Sequence, residues 1–149
     1  MVPEEGKVYN QRTGNEYDTI QAAVIGANDE DTIVVGDGDY TEDLTIKNKA
    51  ITLKSLNGRD STTIKGKIII QSDNVTINGF TVEATDTTAP VIHMIDSDNI
   101  NIINNTVLAQ GYASIGTSTA PAKVTGKISG NKVTGMIIVG TNGKLEVSN

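Results

Sequence analysis

Asp73-Asn-Val-Thr-Ile-Asn-Gly-Phe-Thr-Val82 is followed by Asp98-Asn-Ile-Asn-Ile-Ile-Asn-Asn-Thr-Val107, and the second segment repeats the first at a spacing of 25 residues. A weaker third copy, Lys127-Ile-Ser-Gly-Asn-Lys-Val133, follows the second at a spacing of 26 residues. A fixed period in this range indicates stacked supersecondary units, because each unit buries its apolar face against the next. The period therefore predicts a repeat architecture.

The apolar runs within each repeat alternate with polar residues, are rich in Val, Ile and Thr, and are too short for helices. This period of two is typical of strands with one buried face, and the Gly, Asn and Asp residues between the runs favour turns. Three short strands per repeat make one rung of a parallel β-helix. We predict an all-β, right-handed parallel β-helix of about five rungs. Two internal columns are expected, Ile77 with Ile102 and Ile128, and Val82 with Val107 and Val133.

The rungs begin with an incomplete one through Ile46 and continue with strands around Ile51, Val75, Ile100 and Ile128. Asn recurs at the same period, in the pairs Asn74/Asn99 and Asn105/Asn131. A corner Asn tolerates a left-handed backbone, and its amide can bond its counterpart one rung away. The sequence thus leaves two alternatives open, a stacked Asn ladder or isolated turn residues.

A single amphipathic helix is predicted over residues 18–27. Asp18 would be its N-cap, and Gln21 would complete a capping box. Its apolar stripe consists of small and branched residues, Ile20, Ala23, Val24 and Ala27. Such a helix before a run of strands would cover the open end of the stack. We therefore expect one domain over residues 1–149, with the capping helix first and the rungs over 32–149.

Composition excludes several classes of function. The chain has 12 Lys and Arg against 18 Asp and Glu, and this acidic balance argues against a nucleic-acid partner. It has no Cys, which excludes disulfides and thiolate chemistry, and aromatic residues make up only 3%. No apolar run approaches a membrane span, so membrane insertion is not expected. No signal-peptide pattern is visible at Met1-Val-Pro-Glu-Glu5.

The opening of the chain resembles pectin-lyase-like right-handed β-helix proteins, among them pectinesterases and many surface proteins with generic β-helix repeats. The residues that carry the resemblance are Tyr17-Asp-Thr-Ile-Gln-Ala-Ala23, Asp31-Thr-Ile-Val-Val35, Gly38-Asp-Tyr40, Leu44-Thr-Ile46 and Ala50-Ile-Thr-Leu53. The resemblance implies the fold but not the activity. The Asp, Gln and Arg set of pectinesterases has no counterpart, since Arg12 and Arg59 are the only Arg residues, and the acidic calcium ligands of pectate lyases cannot be placed.

His93, Asp96 and Asp98 are the candidates for acid–base chemistry, because paired carboxylates beside a histidine can exchange protons with a substrate. The alternative is structural. Asp98 repeats Asp73 as a turn former, and His93 points outward beside Met94. We favour the structural alternative.

Calcium is the one metal that the sequence suggests. Nine acidic residues and no basic ones lie between Glu16 and Asp43, and Asp29, Asp31, Asp37 and Asp39 would supply the carboxylate oxygens that Ca²⁺ prefers. The competing interpretation is that these residues serve solubility and turn formation around the capping helix.

The last strands offer a candidate interaction surface. The segment Gly135-Met-Ile-Ile-Val-Gly140 is apolar at four consecutive positions, and Lys144-Leu-Glu-Val-Ser-Asn149 is a strand pattern without a cap. We call six apolar residues there the C-terminal edge: Met136, Ile137, Ile138, Val139, Leu145 and Val147. An uncapped strand edge favours self-association or pairing with a neighbouring structural protein.

Two functions remain. The first is a non-catalytic structural or interaction module of an extracellular, cell-surface or virion assembly. The second is a small carbohydrate-active enzyme or sugar-binding protein on the pectin-lyase-like scaffold. The first is preferred because the known catalytic sets are not found.

Overall fold

The chain winds into a parallel β-helix of about four turns, in a computed structural model that describes residues 2–84, 88–111, 113–117, 123–140 and 143–148. Three sheets form its faces, and each strand lies beside the equivalent strand of the next rung. The predicted fold class is therefore confirmed. Helix contributes little, as the alternating pattern requires.

Face A is an eight-stranded sheet. Its parallel strands are β3 (Thr32–Val35), β6 (Thr52–Ser55), β9 (Thr76–Asn78), β12 (Ser97–Ile103), β15 (Val124–Ser129) and β18 (Gly143–Ser148). Two antiparallel strands, β1 (Val8–Asn10) and β2 (Glu16–Tyr17), extend it at its N-terminal end.

Faces B and C have five parallel strands each. Face B consists of β4 (Gly38–Tyr40), β7 (Thr62–Lys65), β10 (Thr81–Ala84), β13 (Thr106–Ala109) and β16 (Lys132–Val133). Face C consists of β5 (Leu44–Lys47), β8 (Ile68–Gln71), β11 (Ile92–Met94), β14 (Ala113–Thr117) and β17 (Met136–Ile138).

The first rung is complete, and the prediction of an incomplete rung through Ile46 was wrong. Strands β3, β4 and β5 pair in register with β6, β7 and β8. The three-residue strand β4 follows directly on the turn at Gly36 and Asp37 and is too short to show an alternating pattern. Phe80 lies just before β10, where it is fully buried at a corner.

The core consists of the predicted columns of stacked apolar side chains. On face A, Ile77, Ile102 and Ile128 are in register, and the column extends back to Ile33 and Leu53. On face B, Val82, Val107 and Val133 stack in the same way. Because the strands are parallel and in register, each side chain contacts its equivalents above and below, so the repeat pattern specifies the packing.

Both Asn pairs form ladders. Asn99 Nδ2 donates to Asn74 Oδ1 over 2.9 Å, and both residues have φ of 57°, the left-handed conformation expected of corner Asn. Asn105 is fully buried, and its Nδ2 lies 3.2 Å from Asn131 Oδ1. Asn105 also accepts the Phe80 backbone N–H over 2.8 Å and donates to the carbonyl of Ile77 over 3.0 Å. This inner ladder satisfies backbone groups that the corner removes from the sheets.

Helix α1 (Ile20–Gly26) lies over the N-terminal end of the stack, where it packs against β1, β2, β3 and β5. Ile20, Ala23, Val24 and Ala27 are buried, as the apolar stripe predicted. The predicted N-cap was wrong: Thr19 caps the helix and accepts the Ala22 N–H over 3.1 Å. Asp18 instead forms an ion pair with Lys7.

Candidate functional site

His93 lies on β11 between two buried residues, Ile92 and Met94, so its imidazole is on the outer side of face C and partly exposed. Burial, and then the positive charge of Lys67, lowers the pKa of His93 below its ordinary value. The imidazole is therefore biased toward the neutral form. Outward orientation is the arrangement that the structural interpretation predicted.

Asp96 and Asp98 lie at the next corner and bond to neighbouring rungs. Asp96, with φ of 48°, accepts the N–H of Lys123 over 3.3 Å. Asp98 accepts the Thr125 hydroxyl over 3.1 Å and lies 3.6 Å from Lys123 Nζ. Asp73 accepts the Asp98 N–H over 2.9 Å, so Asp73 and Asp98 both bond to the rung that follows them. This arrangement favours a structural role for both candidates.

A β-bulge accounts for the shape of this corner. The register between β12 and β15 shifts between Ser97 and Ile100, so that Ser97 faces Val124 and Ile100 faces Gly126. Gly126 has φ of 148°, and a Cβ placed there would lie 1.9 Å from the carbonyl oxygen of Ile100. Only glycine fits this position, because any side chain would collide with backbone.

Asp31 is buried against the hairpin formed by β1 and β2, with 2% of its surface exposed. Its carboxylate accepts hydrogen bonds from Arg12 Nε at 2.5 Å, Arg12 Nη2 at 3.0 Å, Asn10 Nδ2 at 2.9 Å and the backbone N–H of Asn28 at 2.8 Å. These bonds, with the Arg12 guanidinium foremost, hold the pKa of Asp31 well below its usual range. The Asp31 carboxylate therefore already accepts hydrogen bonds from donors of the protein itself.

The other calcium candidates each have separate protein partners. Asp29 accepts the N–H of Ala50 over 2.9 Å, Asp37 accepts Asn57 Nδ2 over 2.9 Å, and Asp39 pairs with Lys65 Nζ over 3.2 Å. Within the described ranges, no three His, Cys, Asp or Glu side chains come together in a group that could hold a metal ion. These contacts connect the acidic segment to the second rung of the stack.

A groove of about 640 Å³ runs along the corner between faces B and C. It is lined by side chains of both charges together with amide and small apolar groups: Asp43, Lys65, Gly66, Lys67, Glu83, Ala84, Leu108, Ala109 and Gln110. Asp43 also accepts the N–H of Lys67 over 3.0 Å, which fixes the turn between β7 and β8. The groove combines residues from four rungs, so no local sequence pattern indicates it.

The C-terminal edge is partly exposed. Met136, Val139 and Val147 expose 59%, 40% and 52% of their surface, whereas Ile137 and Leu145 are partly buried against the core. Strand β18 pairs with β15 on one side, and in the described part of the chain no strand pairs with its other side. Exposed apolar side chains therefore lie beside unpaired backbone groups, as the sequence predicted for this segment.

Two structural residues escaped sequence analysis. Glu42 accepts the N–H groups of Ile20 and Gln21, at 3.0 and 2.8 Å, and so completes the cap of α1 from 22 residues away. Arg59 Nη1 donates to the carbonyl oxygens of Asn105 and Gly130, at 3.3 and 2.9 Å. Its only sequence signal was that it is one of the two Arg residues of the chain.

Comparisons with protein-family models, with curated proteins and with solved structures gave no match. Separately, no helix in the described ranges is long and apolar enough to cross a membrane.

Proposed function

We propose that this chain is a non-catalytic structural or interaction module, which joins an extracellular, cell-surface or virion assembly by associating through its C-terminal edge. The observation that carries the proposal is the exposure of Met136 and Val139, in and just after β17, and of Val147 in β18. These are the last strands of faces C and A, and in the described part of the chain no strand pairs with their outer sides. Contiguous exposed apolar surface marks interaction sites, and an open strand edge offers backbone groups to another chain.

The chemistry of the candidate side chains agrees with a non-catalytic role. The carboxylates of Asp96, Asp98 and Asp31 accept hydrogen bonds within the stack, and a group so used is poorly placed to exchange protons with a substrate. The extracellular, cell-surface or virion setting rests on the resemblance of the opening segment to pectin-lyase-like surface proteins.

Sedimentation velocity from low to high micromolar concentration tests the proposal. We expect the sedimentation coefficient to rise with concentration and Val147→Lys to weaken the association. Val2→Lys is the matched control, because Val2 is also exposed, at 64%, but lies outside the C-terminal edge. A chain that stays monomeric throughout, or two variants with equal effects, would refute the proposal.

Sugar binding is the second candidate, and the groove between faces B and C is the observation that favours it. Lys65 and Lys67 lie beside carboxylates and an amide there, groups that can bind the hydroxyls and carboxylates of an acidic oligosaccharide. Calorimetric titration with oligogalacturonate tests this, with Lys67→Met as the groove variant and Lys47→Met on face C as its control. Absence of saturable heat, or equal binding by both variants, removes this candidate.

A further inference from the structure

Strand β18 carries a charge pattern that is complementary to itself. Its inward positions, Leu145 and Val147, are in register with Gly126 and Ile128, while Lys144 and Glu146 point outward. Opposite charges thus flank one apolar residue on a strand whose far side is unpaired in the described part of the chain.

The other end of the stack offers β18 little to pair with. The free side of β3 is taken by β1 in antiparallel pairing, β1 pairs with β2, and α1 packs over both. A second copy added head to tail would have to displace this hairpin and helix. The sheet ends there in β2, which is only two residues long, so the longer free edge for a face A contact between two copies is that of β18.

We propose that two copies of this chain pair through their β18 strands, antiparallel and about a two-fold axis at Leu145, an inference that rests on the self-association put forward above. A two-fold axis perpendicular to face A keeps both cores on the same side of the joined sheet. Directly opposite residues of an antiparallel pair then share a face.

Charge favours one register over its two neighbours. Centring the pair on Leu145 places each Lys144 opposite Glu146 of the second copy and Leu145 opposite its own equivalent. Centring on Lys144 or on Glu146 would place like charges directly opposite, which destabilises antiparallel pairs. A two-fold contact of this kind is closed, so it ends at a dimer.

Charge exchange tests the register. Lys144→Glu places two like-charged pairs across the axis, and we expect it to weaken homodimer association about tenfold or more. Glu146→Lys should do the same. Mixing the two variants restores both opposite-charge pairs, so the mixture should associate as the unchanged chain does. Glu146 also pairs with Lys127 of its own chain over 3.7 Å, and Lys127→Glu is the control for that contact.

Crosslinking is a second, independent measurement. The chain has no Cys, so an introduced thiol has no background. Opposed residues of an antiparallel pair have Cα atoms about 4.5–5.5 Å apart, within the range of a disulfide. We expect Leu145→Cys to form a covalent dimer on mild oxidation and Val2→Cys to form much less.

The outcomes separate the two proposals. A monomeric chain would overturn both. A chain that associates, but shows neither rescue in the mixture nor Leu145→Cys crosslinking above the Val2→Cys control, would overturn the two-fold β18 contact and leave association by another geometry. Circular dichroism of each variant identifies any loss of association that arises from misfolding. In that case, Leu145→Cys crosslinking decides whether the two-fold β18 contact forms.

Discussion

Asp31→Asn should destabilise the fold strongly although it preserves the shape of the side chain. The carboxylate is buried and accepts hydrogen bonds from Arg12, Asn10 and the Asn28 backbone. An amide has one acceptor oxygen, and its NH₂ group would face these donors. Breaking a buried ion pair costs about 3–5 kcal/mol, but the Arg12 side chain is 52% exposed and can rehydrate, so we expect a loss of about 2–4 kcal/mol.

The pH dependence of this loss of stability tests whether the charge of Asp31 is its cause. The folded state holds the pKa of Asp31 below its ordinary value of 3.8. The carboxylate therefore contributes its full stability above that value, and the contribution falls as the pH drops through 3.8 toward the lower folded pKa. The difference in unfolding free energy between the two proteins should be constant from about pH 5 to 7 and should shrink below about pH 4.

Urea unfolding followed by circular dichroism measures this difference at each pH. Asp39→Asn is the control, because its ion pair with Lys65 is exposed and should contribute less than about 1 kcal/mol. In thermal unfolding, Asp31→Asn should lower Tm by about 5–15 °C for a chain of this length. Equal stability of Asp31→Asn and the unchanged protein, or a difference independent of pH down to 3, would refute the reasoning.

Three further substitutions test the core, each by urea unfolding at neutral pH. Ile102→Ala should cost about 2–5 kcal/mol by leaving a cavity in the face A column, whereas Ile103→Ala on the outer side should cost much less; equal costs would place the column wrongly. Thr62→Val should stabilise the protein by about 1 kcal/mol, since the Thr62 hydroxyl is buried without a hydrogen-bond partner within the described ranges; destabilisation would reveal such a partner. Asn105→Ala should cost about 2–4 kcal/mol, because it leaves the Phe80 N–H and the Ile77 carbonyl unpaired, and a near-neutral result would contradict the inner ladder.

The repeats were predictable because, in a solenoid, the local sequence pattern also determines the tertiary packing. A residue such as Ile102 meets its equivalents one period away, so the spacing in the sequence is also the contact in space. The Asn ladders follow the same logic. Sequence could identify them as pairs, and the structure showed that the inner pair also serves the backbone of the corner.

The cap and the acidic segment were less predictable, because long-range partners decide them. Asp18 and Thr19 both have the chemistry of an N-cap, and the ion pair of Asp18 with Lys7 leaves the role to Thr19. In the sequence Asp31 resembles a calcium ligand, but in the structure the β1–β2 hairpin places Arg12, 19 positions away, against its carboxylate. The spacing of the acidic residues does not indicate which carboxylates form ion pairs with basic side chains of the protein.

Arg59 changes how the stack is expected to come apart. In most solenoids each repeat touches only its neighbours, so cooperativity passes from one repeat to the next. Arg59 lies between β6 and β7 but bonds to the carbonyl of Asn105, beyond one intervening rung, and to that of Gly130, beyond two. Opening the corner at Gly130 must therefore release a bond to the second rung. Because Arg59 joins an early rung to two later corners, fraying of the later rungs is coupled to loosening of the early ones. Energetic coupling along this β-helix is therefore not confined to nearest neighbours.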